Sequence, residues 1–164
     1  MLEAGRQFGI LPFGLEAQRV LRLEKKHIII GQDTDAISNA IEADLGWAVK
    51  LDKADFLGKP SLFHVDRDGK RNALFGFEMA EPGLIAEEGN QIVEARPDGR
   101  LKIIGYVTSS RWSPTVNKAI GLCWLPASFN REGQEFNVRL GGALHKGRAT
   151  LEPFYDPKGE KLRS

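Results

Sequence analysis

The sequence predicts an α+β fold, with a short mixed α/β N-terminal piece followed by a small antiparallel Greek-key-like β-barrel. From residue 71 onward, short β-rich runs alternate with turn sequences rich in proline and glycine. Six short strands at this spacing are typical of a small barrel or sandwich. The first fifty residues instead combine helical stretches with isolated apolar runs, so we divide the chain into domains 1–50 and 51–164.

The first elements along the chain are helical. Met1–Pro12 reads as a short helical stub followed by a Gly- and Pro-containing connection. A helix is predicted from Leu15 to Lys26, since residues that favour helices dominate it and no proline interrupts it. The β-branched run His27–Ile30 then predicts a short strand.

The stretch that follows is polar before it becomes apolar again. Gln32–Asp35 reads as a loop, or as the cap of a short helix that runs to Ala40. Gly46–Leu51 is a second β-like run, and Lys59–Val65 predicts one or two helical turns with proline near the start.

The barrel strands are separated by turn sequences. Pro97-Asp98-Gly99 is one such signal, and Gly141-Gly142 predicts a two-residue hairpin turn. The six predicted strands are Asn72–Met79, Gln91–Ala95, Leu101–Ser109, Lys118–Leu125, Glu135–Leu140 and Ala143–Leu151.

Composition argues against several classes of function. The formal net charge is +1, and no basic stripe points to nucleic acid. No apolar segment is long enough for a membrane span, and the N-terminus lacks a signal-peptide pattern. Cys123 has no partner for an intrachain disulfide and lies in an apolar run, where a buried inert thiol is expected. We therefore expect a soluble cytoplasmic protein with no nucleic-acid or membrane partner.

Generic active-site motifs do not identify a reaction. The sequence has no phosphate-binding glycine loop and no Gly-x-Ser-x-Gly elbow. His27, His64 and His145 lie far apart in sequence, so we predict no metal site. Trp112 and Trp124 are more typical of core packing than of ligand contact.

One face of the helix predicted from Leu15 to Lys26 suggests a ligand-binding function. Gln18 and Arg22 are four residues apart and share a face of the predicted helix, which can present an amide and a guanidinium to a flat heterocycle. The alternative is a solvated helix whose Arg22 and Glu24 form a surface pair of about 0–1 kcal/mol. On spacing alone, the alternative is favoured.

The order of several short motifs resembles the aminomethyltransferase family, which includes the T-protein of the glycine cleavage system. The resemblance covers nearly the whole chain. It rests on Glu3-Ala4-Gly5-Arg6, Phe8-Gly9-Ile10, Leu21-Arg22-Leu23-Glu24, Asp55-Phe56-Leu57-Gly58-Lys59, Gly105-Tyr106-Val107-Thr108-Ser109-Ser110, Ser113-Pro114-Thr115 and Ala119-Ile120-Gly121-Leu122.

The resemblance implies a tetrahydrofolate-dependent transfer of a one-carbon unit from an amine donor, within a three-lobed fold around a folate cavity. Residues 1–50 then resemble the tail of the folate-binding lobe, and residues 51–164 the C-terminal barrel. The family's catalytic aspartate and pterin-binding glutamate precede the matched region, so no catalytic residue is predicted in this chain.

The same resemblance implies candidate site residues. Gln18, Arg22 and Glu24 are predicted to contact folate, although the family usually carries arginine at the position of Gln18, and an amide lacks that charge. Thr108, Ser109 and Arg111 are predicted to line the cavity rim, and ordinary turn chemistry is the alternative for the two hydroxyls.

The amino-acid sequence around Gly31-Gln32-Asp33 and Pro153-Phe154-Tyr155 also resembles that of the sarcosine oxidase α subunit. The function predicted from the resemblance is the C-terminal part of a one-carbon-transferring enzyme that is incomplete alone. It would need an N-terminal lobe or a partner subunit, and would bind folate as its small molecule. The alternative is a non-catalytic ligand-binding or interaction module derived from the same family.

Overall fold

The computed structural model describes residues 1–161 and Arg163. The helices within these residues are α1 (Leu2–Gly5), α2 (Leu15–Glu24) and α3 (Lys59–Asp68), and 3₁₀ turns occupy Arg6–Phe8 and Gly46–Ala48. The three predicted helical stretches are therefore confirmed, with α2 two residues shorter and α3 three residues longer than expected.

The end of α2 explains where that helix stops. Lys26 has a positive φ of 57°, and its N–H donates to the carbonyl of Leu23 while His27 N–H donates to the carbonyl of Arg22, each at 2.8 Å. This pair of backward bonds is a Schellman-type end, in which one left-handed residue satisfies the last carbonyl groups of the helix.

Two strand predictions in the N-terminal piece are wrong. His27–Ile30 contains only an isolated bridge between Ile30 and Thr34, and the run Gly46–Leu51 begins with a 3₁₀ turn. The alternative of a short helix through Ala40 is also wrong, because residues 31–40 contain turns, one bridge residue and no helix. A run with β propensity needs a neighbouring strand to pair with, and neither of these two runs lies beside one.

The barrel contains six strands, and the prediction of its fold class is confirmed. The strands are β1 (Asn72–Met79), β2 (Gln91–Ala95), β3 (Leu101–Ser113), β4 (Lys118–Pro126), β5 (Glu135–Leu140) and β6 (Ala143–Thr150). They close in the order β1-β4-β3-β2-β5-β6, and every pairing is antiparallel. Because β1 lies beside β4 rather than β2, the first four strands form a Greek key.

The predicted hairpin between β5 and β6 forms at the two glycines. Gly141 and Gly142 have φ values of 54° and 88°. Both values lie in the left-handed region that a type I′ turn requires and that glycine adopts without steric cost.

Strand β4 is buried on both of its faces. One face turns Cys123 and Leu125 into the barrel core, where the Phe77 and Phe136 rings pack edge to face at 6.0 Å. The other face places Leu122 and Trp124 in a second cluster, which also contains Leu23 of α2 and Ala43. The buried thiol and the buried Trp124 expected from the sequence are therefore confirmed, and β4 joins the N-terminal piece to the barrel.

Candidate functional site

Asp33 is the centre of a buried polar cluster between α2 and the barrel. Its Oδ2 accepts hydrogen bonds from Arg22 Nη1 at 2.5 Å and from the backbone N–H of Ile29 at 2.8 Å. Its Oδ1 accepts from Thr108 Oγ1 at 2.7 Å and from Ser109 Oγ at 2.5 Å. The side chain is fully buried, so the negative charge is balanced by Arg22 and by three further hydrogen-bond donors rather than by water.

A bulge in β3 brings the two hydroxyls to the same carboxylate. Successive side chains of a regular strand point to opposite faces. The pairing of β3 with β4 shifts between Val107 and Ser109, which leaves Thr108 as an extra residue. Such a bulge redirects side chains locally, and here both Thr108 and Ser109 reach Asp33.

Arg22 connects helix α2 to this cluster. Besides the ion pair with Asp33, its Nη1 donates to the carbonyl of His27 at 3.1 Å and its Nη2 to Ser109 Oγ at 2.6 Å. The structure thus brings together three of the predicted site residues, namely Arg22, Thr108 and Ser109. They meet as an internal network, since the side chain of Arg22 is only 10% exposed.

Glu24 lies in a separate buried contact. Its Oε1 accepts a hydrogen bond from Ser113 Oγ at 2.5 Å, and its backbone carbonyl accepts from the N–H of Tyr155 at 3.0 Å. Ser113 Oγ in turn accepts from the N–H of Val116 at 3.2 Å. Glu24 therefore binds α2 both to the end of β3 and to the C-terminal tail, rather than forming the surface pair with Arg22 considered from the sequence.

Gln18 and Arg111 belong to the outer surface. Gln18 is exposed and forms no hydrogen bond with another side chain in the part of the chain that is described. Arg111 Nε donates to Glu16 Oε2 at 3.2 Å, and Nη1 lies 3.5 Å from Glu88 Oε1. The hydrogen bond from Arg111 holds the pKa of Glu16 below its usual value.

Gln32 links this outer layer to the buried cluster. Its Nε2 donates to Glu88 Oε1 at 2.9 Å and to Ser109 Oγ at 3.1 Å. Sequence reasoning assigned no role to Gln32, Asp33 or Ser113. For Gln32 and Asp33 the available signal was a polar stretch directly after an apolar run. It indicates a loop but not the barrel partners of these side chains, which lie 56 to 77 residues away in the sequence.

A cavity of about 860 Å³ lies beside the end of α2. Its walls come from the end of α2, the turn around Asp44 and the tail around Glu152, and Leu74 and Leu122 form part of its floor. Lys26 Nζ crosses this region, donating to Asp44 Oδ2 at 3.1 Å and to the carbonyl of Leu151 at 2.7 Å.

Two further titratable groups show how burial acts on this fold. Burial raises the pKa of the Cys123 thiol far above its usual value, which makes it a poor nucleophile. Burial, and secondarily the charge of Asp35, raise the pKa of Tyr106. Across the described residues, histidine, cysteine and acidic side chains form no group of three that could hold a metal ion.

None of the helices among the described residues has the length and apolar character needed to cross a membrane.

Comparisons with known proteins agree with this architecture. Residues 72–156 match the glycine cleavage T-protein C-terminal barrel domain, and residues 1–53 match the GCVT N-terminal domain. The chain therefore belongs to the glycine cleavage T-protein family, as the resemblance predicted.

Relatives and a solved structure point the same way. The chain is 35% identical over 159 residues to an aminomethyltransferase of Clostridium botulinum (strain Okra / Type B1), covering 96% of this chain and 41% of the relative. It is 37% identical over 157 residues to an aminomethyltransferase of Synechococcus elongatus, covering 94% and 40%. The crystal structure of glycine cleavage system aminomethyltransferase T from Bartonella henselae superposes with a TM-score of 0.78 at 25% identity, covering 88% of this chain and 39% of that one. The chain thus spans about two fifths of the length of these relatives.

Proposed function

We propose that this chain forms the C-terminal part of an aminomethyltransferase, which transfers a one-carbon unit from an amine donor to tetrahydrofolate. The observation that carries the proposal is the ordered match of two T-protein domains, together with 35% identity to an aminomethyltransferase over 96% of the chain. In this assignment, residues 1–50 end the folate-binding lobe and residues 51–164 form the barrel domain.

An exposed apolar segment supports the proposal that the chain works with the rest of that fold. Within residues 8–15, the N-terminal apolar segment, Phe8 and Leu11 are each 82% exposed, and Phe13 and Leu15 are also mostly exposed. Contiguous apolar surface of this kind marks an interaction site. We assign it to an N-terminal lobe, carried by a longer chain or by a partner subunit, which supplies the family's catalytic residues.

The chemistry proposed for the described residues is binding and positioning. The folate nitrogen attacks an activated one-carbon donor, and the protein contributes orientation and electrostatics. Gln18, Arg22 and Glu24 remain proposed folate contacts, and Thr108, Ser109 and Arg111 remain proposed rim residues. The likeness to sarcosine oxidase also stays a prediction, so the amine donor is left as a secondary or carrier-bound amine.

A second candidate is a non-catalytic module that kept the barrel of this family. The observation that favours it is the internal use of the proposed ligand contacts. Arg22 is paired with Asp33, and Glu24 is bonded to Ser113, so both side chains already stabilise the fold.

Calorimetric titration separates these candidates. A stable reduced folate, 5-methyltetrahydrofolate, is titrated into the chain alone and into the chain mixed with the N-terminal part of a homologous aminomethyltransferase. The proposed function predicts saturable binding, at least in the mixture, that is weakened by Arg22→Ala. Arg67→Ala is the matched control, because Arg67 pairs with Asp68 on the surface of α3. Absence of folate binding in both samples contradicts the folate proposal and favours the module.

A further inference from the structure

A row of side chains crosses three adjacent strands on the outer face of the barrel. Gln91 of β2 lies opposite Tyr106 of β3, which in turn lies opposite Trp124 of β4. Residues opposite each other in an antiparallel pair share one face of the sheet. Trp124 is buried against the N-terminal piece, whereas Tyr106 is 42% exposed, so the cover of this face ends between the two rings.

Tyr106 lies between two shallow depressions that are open to solvent. One has a volume of about 300 Å³ and is lined by Gln91 and Ile103, and the other has a volume of about 150 Å³ and is lined by Ile37. Ile37 is 91% exposed and Ile103 is 57% exposed, so each depression presents an apolar side chain beside Tyr106. Pockets that enclose a small molecule usually have volumes of about 300–1,000 Å³. The two depressions therefore suit single side chains of a protein segment better than an enclosed ligand.

The smaller depression carries two carboxylates that have no counter-charge. Asp35 and Glu42 both line it, and neither forms an ion pair with another described residue. Asp35 Oδ1 accepts hydrogen bonds from its own turn, and Oδ2 accepts none in the described part of the chain. Glu42 Oε1 accepts from the backbone N–H groups of Arg71 and Asn72 at 3.1 and 3.2 Å. No lysine, arginine or histidine among the described residues lines either depression, so the surface is negative.

Three uncharged polar groups complete this surface. The side-chain amides of Asn72 and Gln91 and the hydroxyl of Tyr106 form no hydrogen bond with another described residue. Burial, and secondarily the charge of Asp35, raise the pKa of the Tyr106 hydroxyl, which therefore remains a neutral donor at physiological pH. We call this surface the Tyr106 groove, and its members are Asp35, Ile37, Glu42, Gln91, Ile103 and Tyr106.

We propose that the Tyr106 groove docks an extended segment of a partner protein in which basic and apolar residues alternate. A lysine or arginine side chain of the segment lies over the Tyr106 ring, whose face attracts a cation, and pairs with Asp35. A neighbouring apolar side chain packs beside Ile103. Charge complementarity selects this occupant, because an acidic segment would face two carboxylates that lack a counter-charge. The inference is independent of the proposed function, since it involves no folate contact.

Titration of a model peptide into the ¹⁵N-labelled chain, followed by NMR, tests the charge complementarity. The probe is a blocked pentapeptide of alternating lysine and leucine, and its matched control has glutamate in place of lysine. We expect saturable shifts of the Gln91, Ile103 and Tyr106 amide signals with the lysine peptide, which weaken as salt is added. The glutamate peptide should give none. Equal binding of the two peptides, or absence of saturable shifts at these amides with the lysine peptide, overturns the proposal.

Two variants test the individual contacts. Asp35→Asn keeps an Oδ1 acceptor for its turn but removes the charge, and should raise the peptide Kd about two- to fivefold. Tyr106→Leu keeps an apolar side chain but removes the ring, and should also raise the Kd about two- to fivefold. Asp68→Asn is the matched control, because it makes the same change of net charge on α3, where Asp68 pairs with Arg67. The amide spectrum checks the folding of each variant, and an equal Kd in all three variants overturns the proposal.

Two further samples test other occupants of the groove. Tetramethylammonium chloride replaces the peptide in one, and equal shifts at equal concentration would make the groove a site for small organic cations and overturn the docking of a protein segment. The other contains the chain associated with the N-terminal part of a homologous aminomethyltransferase. Retained peptide binding in that complex supports a separate partner, whereas its loss assigns the groove to the missing lobe and overturns the proposal. None of these outcomes measures folate binding, so failure here leaves the proposed function standing.

Discussion

The barrel and the N-terminal piece differ in how far they bury their apolar side chains. Phe77 in the barrel is completely buried and packs against Phe136, whereas Phe13 in the N-terminal piece is 70% exposed. The barrel closes on itself, so every one of its strands has two neighbours. In the N-terminal piece, only a few side chains, Leu23 and Ala43 among them, are buried against the barrel.

This difference indicates that the barrel is stabilised by its own core, whereas the N-terminal piece depends on contacts with other parts of the protein. A closed sheet buries its core without help from another chain. A segment with exposed phenylalanine and leucine side chains gains its stabilisation from whatever covers those side chains. The buried cluster around Asp33 is the exception, because it ties the two regions together through hydrogen bonds instead of apolar area.

The largest expected effect comes from truncating the same residue type in the two regions. Phe77→Ala removes a fully buried ring and should lower the free energy of unfolding by about 3–5 kcal/mol. Phe13→Ala removes an exposed ring and should change that free energy by less than about 0.5 kcal/mol. Urea unfolding monitored by circular dichroism measures both.

The comparison fails if Phe13→Ala destabilises the chain as strongly as Phe77→Ala, because the N-terminal apolar segment would then be covered in solution. A wild-type midpoint that rises with protein concentration, and a weaker dependence in Phe13→Ala, would trace such a cover to a second copy of the chain.

A smaller effect is expected from adding a methyl group in each region. A Cβ on Gly121 would overlap the carbonyl of Ser109 and the ring of Phe77, so Gly121→Ala should destabilise the barrel by about 1–3 kcal/mol. A Cβ on Gly46 would meet nothing within 4 Å, and Gly46→Ala should be within about 0.5 kcal/mol of the wild type. Thermal unfolding of the two variants under one set of conditions provides the measurement.

Recovery of stability in the double variant Phe77→Leu, Gly121→Ala, relative to the sum of the single changes, would confirm that the clash involves the ring. Strict additivity would instead assign the loss to the backbone contact with Ser109.

The same contrast explains what the sequence could predict about the fold. Asn72–Met79, Gln91–Ala95 and Glu135–Leu140 were predicted with their observed ends. The alternation of apolar and polar residues and the flanking turn residues locate such strands in the sequence. The local signal is reliable here because each strand pairs with antiparallel neighbours in the barrel. His27–Ile30 has equally strong β propensity but pairs with no strand, so its local signal was misleading.

The candidate site was predictable only in part. The helix bearing Arg22 and the strand bearing Thr108 and Ser109 could each be located from the sequence. Their meeting at Asp33 could not, because it depends on contacts across 75 and 76 residues and on a bulge that turns both hydroxyls the same way. No local pattern encodes a bulge of this kind when no glycine marks it.

The smallest expected effect concerns the contact between α2 and the tail. Partial burial opposes ionisation of Asp156, but hydrogen bonds from Lys25 Nζ and from the backbone N–H groups of Lys161 and Glu160 lower its pKa below the usual value near 3.8. A carboxyl group whose folded pKa is lowered stabilises the fold above its unfolded pKa, and that contribution is lost as pH falls through the folded pKa. We therefore expect the tail to loosen below about pH 4.

Hydrogen exchange of the Tyr155 amide, which is bonded to the carbonyl of Glu24, reports this loosening directly. Asp156→Asn should remove the acid-dependent step while preserving the backbone, since Asp156 has a φ of 47° and asparagine tolerates that region well. Asp98→Asn is the control, because the pKa of Asp98 is lowered by Arg100 in a distant hairpin turn. Should the step survive in Asp156→Asn, a different carboxylate must hold the tail against α2. Its loss would show that a surface-edge ion pair, rather than the Asp33 cluster, controls how the tail is attached.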